Sequence, residues 1–130
     1  MPGFADPGDP DLVSFEAVGY PGRYLRIDRE NPGRYPSCAE QSNRAWALCW
    51  VLEADRHHLM WLDPYADTAT FKGDATFRRV PALNGDPAMT SLQWYPEPNR
   101  YLRHMAYQMF ATPITGSTEQ TDASFVLERE

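Results

Sequence analysis

Arg23-Tyr24-Leu25-Arg26-Ile27 and Arg100-Tyr101-Leu102-Arg103-His104, RYLRI and RYLRH, are one phrase written twice with only its last residue changed. The match reaches further back, because VSFEAVGYPGRYLR (13–26) lies over TSLQWYPEPNRYLR (90–103) without a gap. A second shared phrase closes each copy, DATF from Asp74 to Phe77 and DASF from Asp122 to Phe125. Tyr101 precedes Asp122 by 21 residues, whereas Tyr24 precedes Asp74 by 50. The first copy therefore carries an insertion. Removing the 30 residues from Ile27 to Arg56 joins Arg26 to His57 and restores RYLRH ahead of HLMWLDP. The spacing from histidine to aspartate then becomes 17 residues, against 18 in the second copy. Two homologous units of about forty residues follow, the first of them split; an internal period decides the architecture before any other feature does.

Within each unit the segments are short. The first reads VSFEAV, RYLR, HLMWL and ATFRRV, and the second TSLQWY, RYLRHM, QMFAT and SFVLE, with turns between them rich in Pro, Gly, Asn and Asp. Runs of four to six residues with aromatic and β-branched side chains, bounded by turn formers, predict strands, four to a unit. Twelve prolines reinforce this by excluding long helices. A repeated four-stranded unit of this length predicts an all-β domain, and among the closed forms the β-trefoil fits the unit length better than propeller blades.

A trefoil has three units and this chain shows two. The N-terminal stretch PGFADPGDPDLVSF (2–15) resembles the inter-unit linker PALNGDPAMTSL (81–92), so Met1 reads as the tail of an earlier unit. The expected layout is a single domain over 1–130: linker 1–11, first repeat 12–83 with insertion 27–56, linker 84–89, second repeat 90–130. An unclosed sheet edge leaves backbone donors and acceptors unpaired, which points to self-association as a possible partnership.

The insertion differs from its flanks. Ser37 and Glu40 are spaced as a capping box, and the following QSNRAWALCWVLEADR lacks Gly and Pro, which predicts a helix over 38–56. It is either an elaboration of the domain or a retained intron. Both cysteines, Cys38 and Cys49, lie inside it, with no further Cys or His pair at zinc-ligand spacing, so no metal site is expected. Spacing leaves open whether they are paired or free.

Composition removes several function classes. With 130 residues, 42% hydrophobic and 23% charged, the chain is long enough for one globular domain. A net charge of −6 argues against nucleic acid and against anionic membranes as partners. The longest apolar run, AWALCWVL (45–52), falls far short of the roughly 18 residues a spanning helix needs. The N-terminal residues show no basic region followed by an apolar core, so no signal peptide is visible.

The phrases VSFEAVGYPGRYLR, HLMWLDP, FKGDATFRRVPAL and TSLQWYPEPNRYLRH, in this order and twice over, resemble the arabinose-binding domain of alpha-L-arabinofuranosidase B, the family 42 carbohydrate-binding module. The resemblance runs from Pro2 to about Glu128, leaving out Ile27 to Arg56. It implies a β-trefoil whose subdomains hold arabinofuranose side chains of arabinoxylan or arabinan. In fungal enzymes such a domain follows a catalytic domain of glycoside hydrolase family 54, which implies an extracellular protein. It binds without cleaving and needs no cofactor. The family's pocket pairs the histidine of RYLRH with the aspartate of DATF. Carried over, this implies His104 with Asp122 in the second unit and, if the excised reading holds, His57 with Asp74 in the first. As the chain is written, the first unit offers Ile27 in place of the histidine.

The chemistry of such a pair suits a neutral sugar. A carboxylate accepts two vicinal hydroxyls through charge-assisted bonds, and a neutral imidazole donates or accepts another. Tyr101, Tyr107 and Tyr24 are candidates for an apolar wall or a further hydroxyl. Shallow sites of this kind are worth ~4 kcal/mol each, about millimolar, so several per domain act through effective concentration on a branched polymer. Structural roles compete at every position. Asp74 and Asp122 stand before strands, where aspartates satisfy turn amides; His104, next to Arg103, reads also as a plain surface residue; Tyr24 and Tyr101, flanked by leucines, read rather as core or rim; Arg26 and Arg103 read as solvated or paired strand residues. Trp46, Trp50 and Trp61 read as packing rather than a stacking platform.

Two other function classes compete with this reading. A glycosidase needs two carboxylates flanking a cleft, and among 18 acidic residues none is marked as such a pair. No nucleophile triad, phosphate loop or metal cluster is visible either, so no catalytic residue is assigned. A protein-binding or other lectin-like module on the same fold is the alternative, since a fold does not determine its ligand.

Overall fold

The computed structural model describes residues 1–29, 58–105 and 108–126. His57, Tyr107, both cysteines and the helix expected over 38–56 lie outside the described residues. Among the described residues eight strands and two short helices follow one another: β1 (Leu12–Val13), β2 (Glu16–Ala17), β3 (Tyr20–Ile27), β4 (Met60–Pro64), α1 (Ala69–Asp74), β5 (Phe77–Pro81), β6 (Thr90–Trp94), β7 (Tyr101–Met105), β8 (Gln108–Thr112) and α2 (Ser117–Asp122). The domain is mostly β, with every strand pairing antiparallel. Five strands form one sheet in the order β1-β5-β6-β7-β8, and three form the other in the order β2-β3-β4.

The two units carry the same hairpin. In the first, Arg26 pairs with Trp61 and Ile27 with Met60; in the second, Arg103 pairs with Phe110 and His104 with Met109. Ile27 thus holds on β3 the place His104 holds on β7. Its side chain is fully buried in the core with Phe77, Leu92, Trp94, Leu102 and Ala111. Burying each such large apolar side chain is worth about 1.5–3 kcal/mol, so this shared seam supplies much of the driving force. An apolar hollow of about 240 Å³ opens beside it, lined by Phe15, Leu25, Met60, Leu92, Met109 and Val126 among others.

The repeat is also written in hydrogen bonds. The Ser14 hydroxyl donates to the Ala75 carbonyl at 2.6 Å and accepts from the Phe4 amide at 3.1 Å. The Ser91 hydroxyl donates to the Ala123 carbonyl at 2.7 Å and accepts from the Leu83 amide at 2.9 Å. Thr76 and Ser124 match in the same way, each hydroxyl donating back to a helix carbonyl, Lys72 or Gln120, and accepting from Ala5 or Asn84. The N-terminal stretch therefore straps the first unit as the inter-unit linker straps the second, in keeping with the likeness of their sequences. Gly22, within β3 where its pairing with β2 shifts register, and Gly85, whose amide closes a turn onto the Ala82 carbonyl, have φ of 83° and 82°, a conformation that side chains with a Cβ adopt at a cost.

The two helices are the departure from the expected all-strand units. Thr68 caps α1, its hydroxyl accepting from the Phe71 amide at 3.1 Å. Gly116 opens α2, and the Glu119 carboxylate reaches back to accept from the Thr115 amide at 2.9 Å. Six residues are too few to display a helical period, so pattern reading passes over them. Their consequence is positional: Asp74 and Asp122 end helices and do not themselves begin strands.

Candidate functional site

In the second unit β7 and α2 bring His104, Arg103 and Asp122 together. His104 Nε2 lies 3.3 Å from Asp122 Oδ1, and Arg103 Nη2 lies 3.3 Å from Asp122 Oδ2. Arg103 Nη1 is also 3.8 Å from Glu119. The Thr115 amide bonded to Glu119 holds that carboxyl below its ordinary range, so it stays ionised beside the guanidinium. The side chain of His104 is 63% exposed and that of Asp122 is 21% exposed. A carboxylate anchored from beneath by an arginine and edged by an open imidazole presents acceptors and a switchable donor to solvent, which is the equipment for gripping hydroxyls.

The first unit uses the same parts differently. Arg26 Nη2 donates to Asp74 Oδ2 at 3.2 Å and to Asp28 Oδ1 at 2.8 Å, and its Nε is 3.8 Å from Asp63. Asp74 Oδ1 accepts from Arg29 Nε, and Oδ2 accepts from the Arg29 amide at 3.3 Å. The Asp74 side chain has no solvent exposure. Burial pushes its carboxyl above the ordinary value, while the Arg29 amide and guanidinium and the charge of Arg26 pull it back. Aromatic faces finish the enclosure: Arg26 lies 5.1 Å from the Phe71 ring centre and Arg29 lies 5.7 Å from that of Trp94. The Trp94 indole N–H donates to the Asp74 carbonyl at 3.2 Å.

The structure thus joins His104 with Asp122 but surrounds Asp74 with arginines, and Asp74 as found reaches no ligand from solvent. Tyr101 is half-buried on the same strand as His104, its hydroxyl 3.5 Å from Gln93 Nε2. Tyr24 is half-buried in a ring cluster, 4.9 Å from Phe4 and 6.3 Å from Tyr65; burial and the nearby Glu16 raise its phenol. Arg26, Arg103 and Arg29 belong to these two clusters although the sequence alone does not mark them as site residues. The signal available for the first two was the repeated RYLR itself, which keeps an arginine two residues after each tyrosine; Arg29 had no such signal. Among the described residues no group of three or more His, Cys, Asp or Glu is placed to hold a metal, and no helix is long and apolar enough to cross a membrane.

Comparison with known proteins agrees with this frame. No curated protein sequence matches the chain significantly. Solved structures do: an arabinofuranosidase complexed with arabinofuranosyl-alpha-1,2-xylobiose and a GH54 α-L-arabinofuranosidase soaked with a cyclic sulfate inhibitor each superpose with a TM-score of 0.67 at 26% identity. Each match covers 97% of this chain and 21% of the enzyme, so the chain spans about a fifth of their length. The family model described as the alpha-L-arabinofuranosidase B (ABFB) domain matches residues 55–127, and with more than half of its residues inside that match the chain belongs to the ABFB domain family.

Proposed function

We propose that the chain is a non-catalytic, β-trefoil-type module that binds arabinofuranosyl side chains of plant polysaccharides through His104 and Asp122, with Tyr101 beside them. The observation that carries this is the open His104–Asp122 pair at 3.3 Å in a chain of this family. The trefoil reading is supported by the duplicated hydrogen-bond frame, since that fold is built by repeating one unit. In this reading the module works beside a GH54-type catalytic domain, in an extracellular protein, and raises the local concentration of enzyme on a branched polymer.

Titration of arabinofuranosyl-xylobiose, followed at backbone amides by NMR, tests the reading. Saturable shifts with a Kd of about millimolar are expected in the wild type. They disappear in Asp122→Ala and His104→Ala while both spectra stay dispersed. A dispersed wild-type spectrum that the sugar leaves unmoved overturns it. The competing reading, a protein-binding module that associates through an open sheet edge, is favoured by the apolar hollow around Phe15, Met60 and Val126. It predicts concentration-dependent sedimentation and no response to sugar.

A further inference from the structure

The geometry points to one sugar site among the described residues, because Arg29 covers in the first unit the carboxylate edge that lies open beside His104 in the second. This rests on the binding role proposed for His104 and Asp122. The two aspartates share three structural marks: each ends a six-residue helix, each precedes the alanine whose carbonyl accepts from a repeated serine hydroxyl, and each is gripped on Oδ2 by the RYLR arginine, at 3.2 Å for Arg26 and 3.3 Å for Arg103. They differ at Oδ1. In the second unit Oδ1 faces a histidine that is mostly in solvent, an edge that a hydroxyl can share. In the first unit Oδ1 faces the Arg29 guanidinium.

Arg29 is held from several sides. Its amide donates to the same carboxylate, its Nη2 is 3.5 Å from the Thr70 carbonyl, and its guanidinium lies near the Trp94 ring. A neutral hydroxyl offers one weak dipole where the guanidinium brings a full charge and a fixed fork of donors, so the sugar does not displace it. The histidine position agrees, since Ile27 stands there and is turned into the core. Phe71 completes the change: it occupies in α1 the place Glu119 takes in α2, three residues before each aspartate, and sets a ring against Arg26 where the second unit sets a carboxylate against Arg103. The module is therefore monovalent within these two units and gains no avidity between them.

Carboxyl labelling of the folded wild-type chain, with a water-soluble carbodiimide and an amine read by peptide mass spectrometry, tests the closure without any sugar. Asp122 is expected to label at least ~10-fold faster than Asp74, which reacts only through local opening. Comparable labelling of both in the native chain overturns the inference. In Arg29→Ala, Asp74 becomes labelled; a folded variant in which it stays protected shows that Arg29 is not the plug. If that variant does not fold, the wild-type labelling ratio decides alone. Arabinofuranosyl-xylobiose supplies the second arm. Shifts confined to amides around Tyr101–His104 and Asp122 support one site, and saturable shifts at Gly73–Ala75 overturn it. Absence of all shifts removes the proposed sugar function, while the labelling still reports whether the first unit is closed.

Discussion

Arg26 and Asp74, 48 residues apart in the chain, form an ion pair at 3.2 Å in the interior, and Arg103 and Asp122 repeat it at 3.3 Å nearer the surface. One geometry thus serves two ends. Where the aspartate is closed over, the pair is structural; where it is open, the arginine fixes a carboxylate that other groups can reach.

The two pairs should respond unequally to the same substitution. Arg26→Met leaves Asp28 and Asp74 short of the cation they share in a nearly solvent-free setting. Breaking one partner of a buried pair costs about 3–5 kcal/mol. Arg103→Met uncovers a partly exposed aspartate, which water can resolvate, and costs about 1 kcal/mol. Urea denaturation followed by circular dichroism measures both, and equal losses would contradict the assignment of Asp74 to the interior.

Ser14→Ala and Ser91→Ala should be matched in effect. Each removes a buried hydroxyl that both donates to a carbonyl and accepts from an amide, leaving two backbone groups unsatisfied. About 1–3 kcal/mol is expected from each. A large effect from one and none from the other would mean that the hydrogen-bond frame is not equivalent in the two units.

Trp94 joins the units, its side chain buried in the shared core and its indole N–H bonded to the Asp74 carbonyl. Trp94→Ala should cost ~3–5 kcal/mol through lost burial and the cavity left behind. Trp94→Phe keeps most of the volume and loses the donor, so its cost should be smaller, near the ~1–3 kcal/mol of an unsatisfied carbonyl. Thermal melts of the two variants check the order.

Acid should weaken the second unit through Glu119. Its folded carboxyl lies below the ordinary value because the Thr115 amide bonds the ionised form. The folded state therefore holds this proton less tightly than the unfolded chain does. The contribution is complete above the unfolded glutamate pKa of about 4.3 and disappears as pH falls through the lower folded value. Stability of Glu119→Gln should accordingly fall less between pH 5 and acid than that of the wild type, in each case measured from its own value at pH 5. Identical pH profiles would remove Glu119 from the account.

Much of the architecture was written locally. The doubled RYLR phrase, the longer match of 13–26 with 90–103 that contains it, the turn chemistry between short apolar runs and the likeness of 2–15 to 81–92 all reappear as strands, straps and matched hydrogen bonds. They are legible because strand alternation, turn residues and repetition depend on neighbours in sequence. The short helices α1 and α2 were not, since six residues carry no period and rest on a cap and on packing. The resemblance also supplied His104 and Asp122 as a pair, and the fold brings them together. Only the tertiary structure decided that Arg26 and Arg103 grip the two aspartates, that Ile27 turns into the core, and that Arg29 covers Asp74. Those outcomes depend on which charges meet across 19 to 48 residues of chain and on how completely water is excluded where they meet, and neither distance nor burial is encoded in a residue's immediate neighbours.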